Sequence, residues 1–170
     1  QKKPLELLKA LIAHGAKRVD APMLTSLLWP EAEGDVAKTS FDSTLYRLRK
    51  LVDVEGAIAL SEGKLSLDQA TVWVDALALE ALLDAEPVQA ERALALARGD
   101  FLADEAALPW AVRTRDRLKS RLIRAVLAET EQREAHGDYA GARPLYEAAL
   151  ERDNLAEAVY RRLMVCQREL

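Results

Sequence analysis

A single cysteine, Cys166, stands in this 170-residue chain, so no intrachain disulfide can form and a reducing, cytoplasmic setting is expected. The thiol itself reads as buried apolar filler. Histidine is nearly as scarce: His14 and His136 lie far apart and away from other ligand types, which excludes zinc-type spacing. No apolar run approaches the roughly 20 residues that cross a bilayer, and no signal peptide is expected. The sequence has no glycine-rich phosphate loop, no nucleophile elbow and no carboxylate cluster placed for acid–base work. Neither an enzyme nor a cofactor, metal or membrane partner is therefore expected. Positive charge is not in excess either. Lys plus Arg number 24 against 28 Asp plus Glu, and the net charge of -4 argues against indiscriminate binding to polyanions.

What is present is a 50% hydrophobic composition, enough for one core or two small ones. The chain begins with Gln1 rather than methionine and stops inside a helical pattern, so it reads as a fragment of a longer protein. The first part predicts three helices and a hairpin. Pro4 opens a helix with Leu5, Leu8, Leu11 and Ile12 inward, and Gly15 ends it. Asp20 caps a second helix through Leu24, Leu27 and Leu28, which Trp29-Pro30 terminates. Ile58 and Leu60, a Glu62-Gly63 turn, then Leu65 and Leu67 predict a β-hairpin, and Val72 to Val74 a further short strand.

The most informative stretch is the third helix, 36–52 with Asp35 leading in. Phe41, Leu45, Leu48 and Val52 fall at i, i+4, i+7 and i+11 and make one apolar stripe. The opposite side collects Thr39, Ser43, Tyr46, Arg47 and Lys50, with Arg49 at the flank. Within this segment Lys38, Arg47, Arg49 and Lys50 face Asp42 alone. Positive charge is thus local, and acids elsewhere repel phosphate from other faces. Hydrogen-bonding and cationic groups opposite a buried stripe are what a helix in a DNA major groove requires. Arg47 suits bidentate contact with guanine, whereas Ser43 and Thr39 suit a base edge or a phosphate. Lys64, just past the hairpin turn, is a candidate for a phosphate or the minor groove. Ordinary solvated side chains are the competing account of this set, and for Lys64 the two stand level.

From Ala76 onward Ala, Leu, Glu and Arg recur at helical spacing, predicting helices near 76–85, 87–98, 109–136, 139–152 and 155–169. Gly99 is expected to close the second of these, and Val159, Leu163, Cys166 and Leu170 to form the inner stripe of the last. Pro144 leaves the start of the fourth open. Arg113, Arg115, Arg117, Lys119, Arg121 and Arg124 form a second basic cluster. Alternate helical residues diverge, so a solvated, salt-bridged surface is favoured over a nucleic-acid site, with Asp116 and Glu129 as nearby acids. Trp29 and Trp110 beside prolines read as plugs at junctions. Gly137-Asp138-Tyr139 with Ala142, Tyr146 and Ala149 resembles the second half of a tetratricopeptide repeat.

Several segments carry a wider resemblance: Lys3-Pro4-Leu5-Glu6-Leu7-Leu8, Leu28-Trp29-Pro30, Leu45 through Leu51, Trp73-Val74-Asp75, Gly99-Asp100-Phe101-Leu102 with Trp110, and Tyr160 through Met164. In this order the chain resembles bacterial regulators that join an OmpR-type winged helix to a bacterial transcriptional activator domain, among them the Streptomyces antibiotic regulatory proteins. The resemblance implies a mainly α fold: a winged helix-turn-helix over 1–75, lacking its N-terminal strands, and a tetratricopeptide-like activator domain over 76–170, truncated at its C-terminus. It implies an activator that binds double-stranded promoter DNA, contacts RNA polymerase or its σ factor, and pairs with a second copy as a homodimer. The alternative is a protein-interaction module of a larger regulator that binds no DNA.

Overall fold

Leu7, Ala10 and Leu11 are completely shielded from solvent, and this spacing makes α1 (Lys2–Ala13) a helix with one buried face. In the computed structural model, which describes residues 2–105 and 108–170, α1 is followed by β1 (Val19–Asp20), α2 (Ala21–Leu28), α3 (Gly34–Val52), β2 (Ile58–Ser61) and β3 (Lys64–Leu67). The second run holds α4 (Asp75–Leu83), α5 (Ala90–Leu96), α6 (Pro109–Ala135), α7 (Tyr139–Arg152) and α8 (Glu157–Glu169). Among the described residues the fold is mainly α, with one small antiparallel sheet in the order β1-β3-β2. The chain divides into two compact units, Gln1–Leu77 and Ala78–Leu170.

In the first unit α1 packs on α3 and α2, and Leu24, Phe41, Leu45, Leu48, Leu65 and Leu67 are buried. The third strand is a departure from the sequence reading. Val72 to Val74 alternate like a strand yet form none, and Trp73 is 72% exposed. The third strand is instead Val19–Asp20, which pairs Val19 with Leu65 and Asp20 with Lys64. Asp20 also differs from expectation as a cap. It stands at the N-cap position of α2, but its side chain makes no capping bond and lies 3.6 Å from Lys64 Nζ.

In the second unit Leu79, Leu94, Leu122, Val126, Leu145, Tyr146, Val159 and Cys166 share one core. α5 is shorter than 87–98 because Gln89 is its N-cap and Ala97 its C-cap, so Gly99 lies beyond its end. Pro144 sits inside α7, where it removes one backbone donor without ending the helix. A Cβ at 141 would lie 2.2 Å from Asp138 Oδ2, so a larger residue there displaces the carboxylate that caps α7 by accepting from the Gly141 amide at 2.9 Å. In α8, Val159 and Cys166 are buried, but Leu163 is half-buried and Leu170 is 61% exposed, so the inner stripe is narrower than four residues.

Three of these helices meet at one carboxylate. The Tyr146 hydroxyl on α7 donates to Glu134 Oε1 on α6 at 2.7 Å, and Arg162 on α8 pairs with Oε2. Burial of the phenol pushes the Tyr146 pKa up, so it stays a neutral donor at ordinary pH. Burial likewise raises the Cys166 thiol, whose sulfur donates to the Tyr139 carbonyl at 3.2 Å.

Candidate nucleic-acid interface

Nineteen residues at about 1.5 Å each make α3 close to 28 Å long, ample to traverse a major groove about 12 Å wide. Its apolar side is anchored as the spacing requires: Ala37, Phe41, Thr44, Leu45 and Leu48 are buried, while Val52 is half-buried. Asp35 in the first turn and Arg49 and Lys50 in the last complement the helix dipole. The helix stops at Asp53, which takes the left-handed conformation and donates its amide to the Arg49 carbonyl.

Thr39, Ser43, Tyr46, Arg47 and Lys50 are all exposed. Tyr46, at 58%, is an aromatic ring offered to solvent. The Lys50 ammonium lies 4.8 Å from the centre of that ring, a cation–π pair one turn apart that fixes both side chains on the outer face. Arg49 is placed differently from its neighbours. Its Nε donates to the Ile58 carbonyl at 3.0 Å, which ties α3 to the first residue of the hairpin. Lys64 is half-buried and paired with Asp20, so it is not an isolated cation.

The electrostatic contrast within this unit is sharper than the charge count suggested. Lys2 and Lys3 pair with Glu6, Arg18 with Glu62 and Lys64 with Asp20. Among the described residues Lys38, Arg47 and Lys50 have no acid within ion-pair distance, and neither does Lys17. Lys17 and Lys38 are cations that the helical-face argument passed over. Local excess of charge was the only signal for Lys38, and Lys17, on the turn after α1, had none.

Half of the second basic cluster, three of its six residues, is taken up by structure. Arg117 pairs with Glu80 at 2.7 Å, Arg121 with Asp84, and Arg115 donates to the carbonyls of Phe101 and Leu102. The acids are thus Glu80 on α4 and Asp84 just past its end, rather than Asp116 or Glu129. Glu129 instead accepts from the Ala90 amide and from Arg133. Arg133 and Glu129 line an open groove of about 580 Å³ with Glu91, Arg92 and His136. Burial opposes the charge on Arg133, but bonds to Glu91 and Glu129 outweigh it and its pKa lies above the ordinary guanidinium value. Arg133 is taken up by Glu91 and Glu129, so the groove shows no excess of positive charge toward a polyanion. Trp110 is buried, and Trp29 is half-buried with the Lys3 ammonium 5.6 Å from its ring centre. Among the described residues no cluster of three His, Cys, Asp or Glu is placed to hold a metal, and no helix is long and apolar enough to cross a membrane.

Comparison with known proteins adds a family. A family model described as the bacterial transcriptional activator domain matches residues 69–170. No curated protein matches the chain. The matched residues do not include α3 or the hairpin.

Proposed function

Because the chain belongs to the bacterial transcriptional activator domain family, we propose that it is a transcription regulator whose first unit is an OmpR-type winged helix and reads promoter DNA. α3 enters the major groove, with Thr39, Ser43, Tyr46, Arg47 and Lys50 toward the duplex. Arg49 acts from behind, holding the hairpin wing to the recognition helix. The second unit, tetratricopeptide-like in its α6–α7 hairpin, contacts RNA polymerase or another subunit. The observation that carries this reading is the outer face of α3, where Arg47 and Lys50 stand exposed without acid partners while Lys2, Lys3, Arg18 and Lys64 of the same unit are neutralised. Phosphate attraction supplies affinity there, and the hydroxyls and guanidinium supply base contacts.

Selection from a random-sequence duplex pool tests this. A discrete sequence is expected to emerge, and Arg47→Ala to cost about 1 to 3 kcal/mol and relax preference at one base position. A second reading, a protein-interaction module that binds no DNA, is favoured by one observation: the net charge of the chain is -4. Absence of any selected sequence, with Arg47→Ala without effect, decides for that reading.

A further inference from the structure

The hairpin tip departs from the rules of its own turn. Glu62 and Gly63 both have positive φ, +52 and +72, the backbone of a two-residue turn that favours Asn or Asp followed by Gly. Glutamate gains nothing from that conformation, and such an outlier points to a role outside the turn. Its carboxylate reaches Arg18 Nη2 at 2.9 Å, across 44 residues of sequence. Arg18 is itself held at a φ of +49, its amide donating to Ser66 Oγ at 2.9 Å. On the other side of the same turn Lys64 lies directly opposite Asp20 in the strand pairing, 3.6 Å from its carboxylate. The Ala21 amide donates to the Gly63 carbonyl at 2.9 Å, which pins the tip to the start of α2. The tip therefore has an acid, Glu62, and a cation, Lys64, each matched by an opposite charge brought from elsewhere in the unit, whereas Lys38, Arg47 and Lys50 on α3 pair with no acid among the described residues.

Resting on the DNA-binding reading above, we propose that Glu62 and Asp20 are specificity determinants: by neutralising Arg18 and Lys64 they keep the hairpin from contributing phosphate contacts, so that binding depends on the outer face of α3. The Arg18–Glu62 pair is largely exposed, with side-chain accessibilities of 62% and 74%, and the Lys64–Asp20 pair partly so, at 38% and 62%; pairs of this kind are easily broken. Breaking them on DNA, however, leaves a carboxylate beside a phosphate. Their net contribution on any duplex is therefore small, and sequence-independent affinity is held down.

The test measures affinity of the full chain for a random-sequence duplex from about 50 to 200 mM salt. Wild type is compared with Glu62→Gln, Asp20→Asn and the double variant. Each unmasked cation is expected to steepen the slope of log K against log salt by about 0.9, a further loss on the order of threefold across that range. Arg18→Ala is expected to be silent in wild type and to cancel the gain in Glu62→Gln. Glu62→Asn, which suits the turn better, is expected to match Glu62→Gln. Equal slopes for a DNA-binding wild type and its variants would overturn the proposal, as would a Glu62→Gln gain that survives Arg18→Ala. If neither wild type nor any variant binds DNA, the DNA-binding reading fails and this inference with it.

Discussion

Replacing Tyr146 with phenylalanine removes one oxygen and almost no volume, so its effect reports the polar contacts of that hydroxyl, with Glu134 as its hydrogen-bond acceptor and Thr130 and Arg162 beside it. Tyr146 is fully buried and the Glu134 side chain is 7% exposed, so water cannot replace the lost donor. A hydrogen bond to a charged group is worth about 1.5 to 3 kcal/mol. The lower part of that range applies, because Arg162 still pairs with the other carboxylate oxygen and is itself 40% exposed. For a unit the size of Ala78–Leu170 each kcal/mol moves the melting temperature by about 4 to 8 °C. Tyr146→Phe is therefore expected to lower the melting temperature of this unit by roughly 10 °C, and to shift its urea midpoint without changing the slope. Arg162→Ala combined with Tyr146→Phe is expected to be non-additive, because both act on one carboxylate. A loss below about 0.5 kcal/mol, or strict additivity of the pair, would refute the argument that Glu134 depends on both partners.

Two other expectations follow from burial. Leu48→Ala, at a position with no solvent exposure on the inner side of α3, is expected to cost about 2 to 5 kcal/mol, read by chemical unfolding, and to abolish the proposed DNA binding through loss of the helix anchor rather than of a contact. The raised thiol of Cys166 and raised phenol of Tyr146 mean that the folded chain holds these protons more tightly than the unfolded chain does. Their stabilising effect is complete below the unfolded values of ~8.5 and ~10 and declines as pH rises past them. Urea midpoints measured from pH 7 upward should fall on the alkaline side, and Cys166→Ala with Tyr146→Phe should flatten that limb relative to its own neutral-pH midpoint.

Helices were the most legible part of this sequence, because a buried face repeats over many residues. Phe41, Leu45 and Leu48 announce α3, and all three are buried. Two-residue β1 carries no period to detect. Its existence depends on pairing with Leu65 and Lys64, far along the chain. Conversely, Val72 to Val74 have a strand's alternation but no paired neighbour. At the candidate site, exposure of Tyr46, Arg47 and Lys50 followed from the helical wheel, whereas the neutralisation of Lys64 and the tethering of Arg49 did not. Each depends on a partner from another element. The same reason hid the destinations of Arg117 and Arg121, whose acids lie 37 residues upstream, on α4 and just past its end. Periodicity reports which way a side chain points, and tertiary contacts decide what it meets.

The shared carboxylate of Glu134 also shapes how the second unit comes apart. α8 cannot peel away without stripping a buried anion of its Arg162 partner, and α7 cannot shift without taking its hydroxyl. Fraying at that end is thereby discouraged, and amide exchange across α6, α7 and α8 should converge on a single opening event rather than ascend helix by helix.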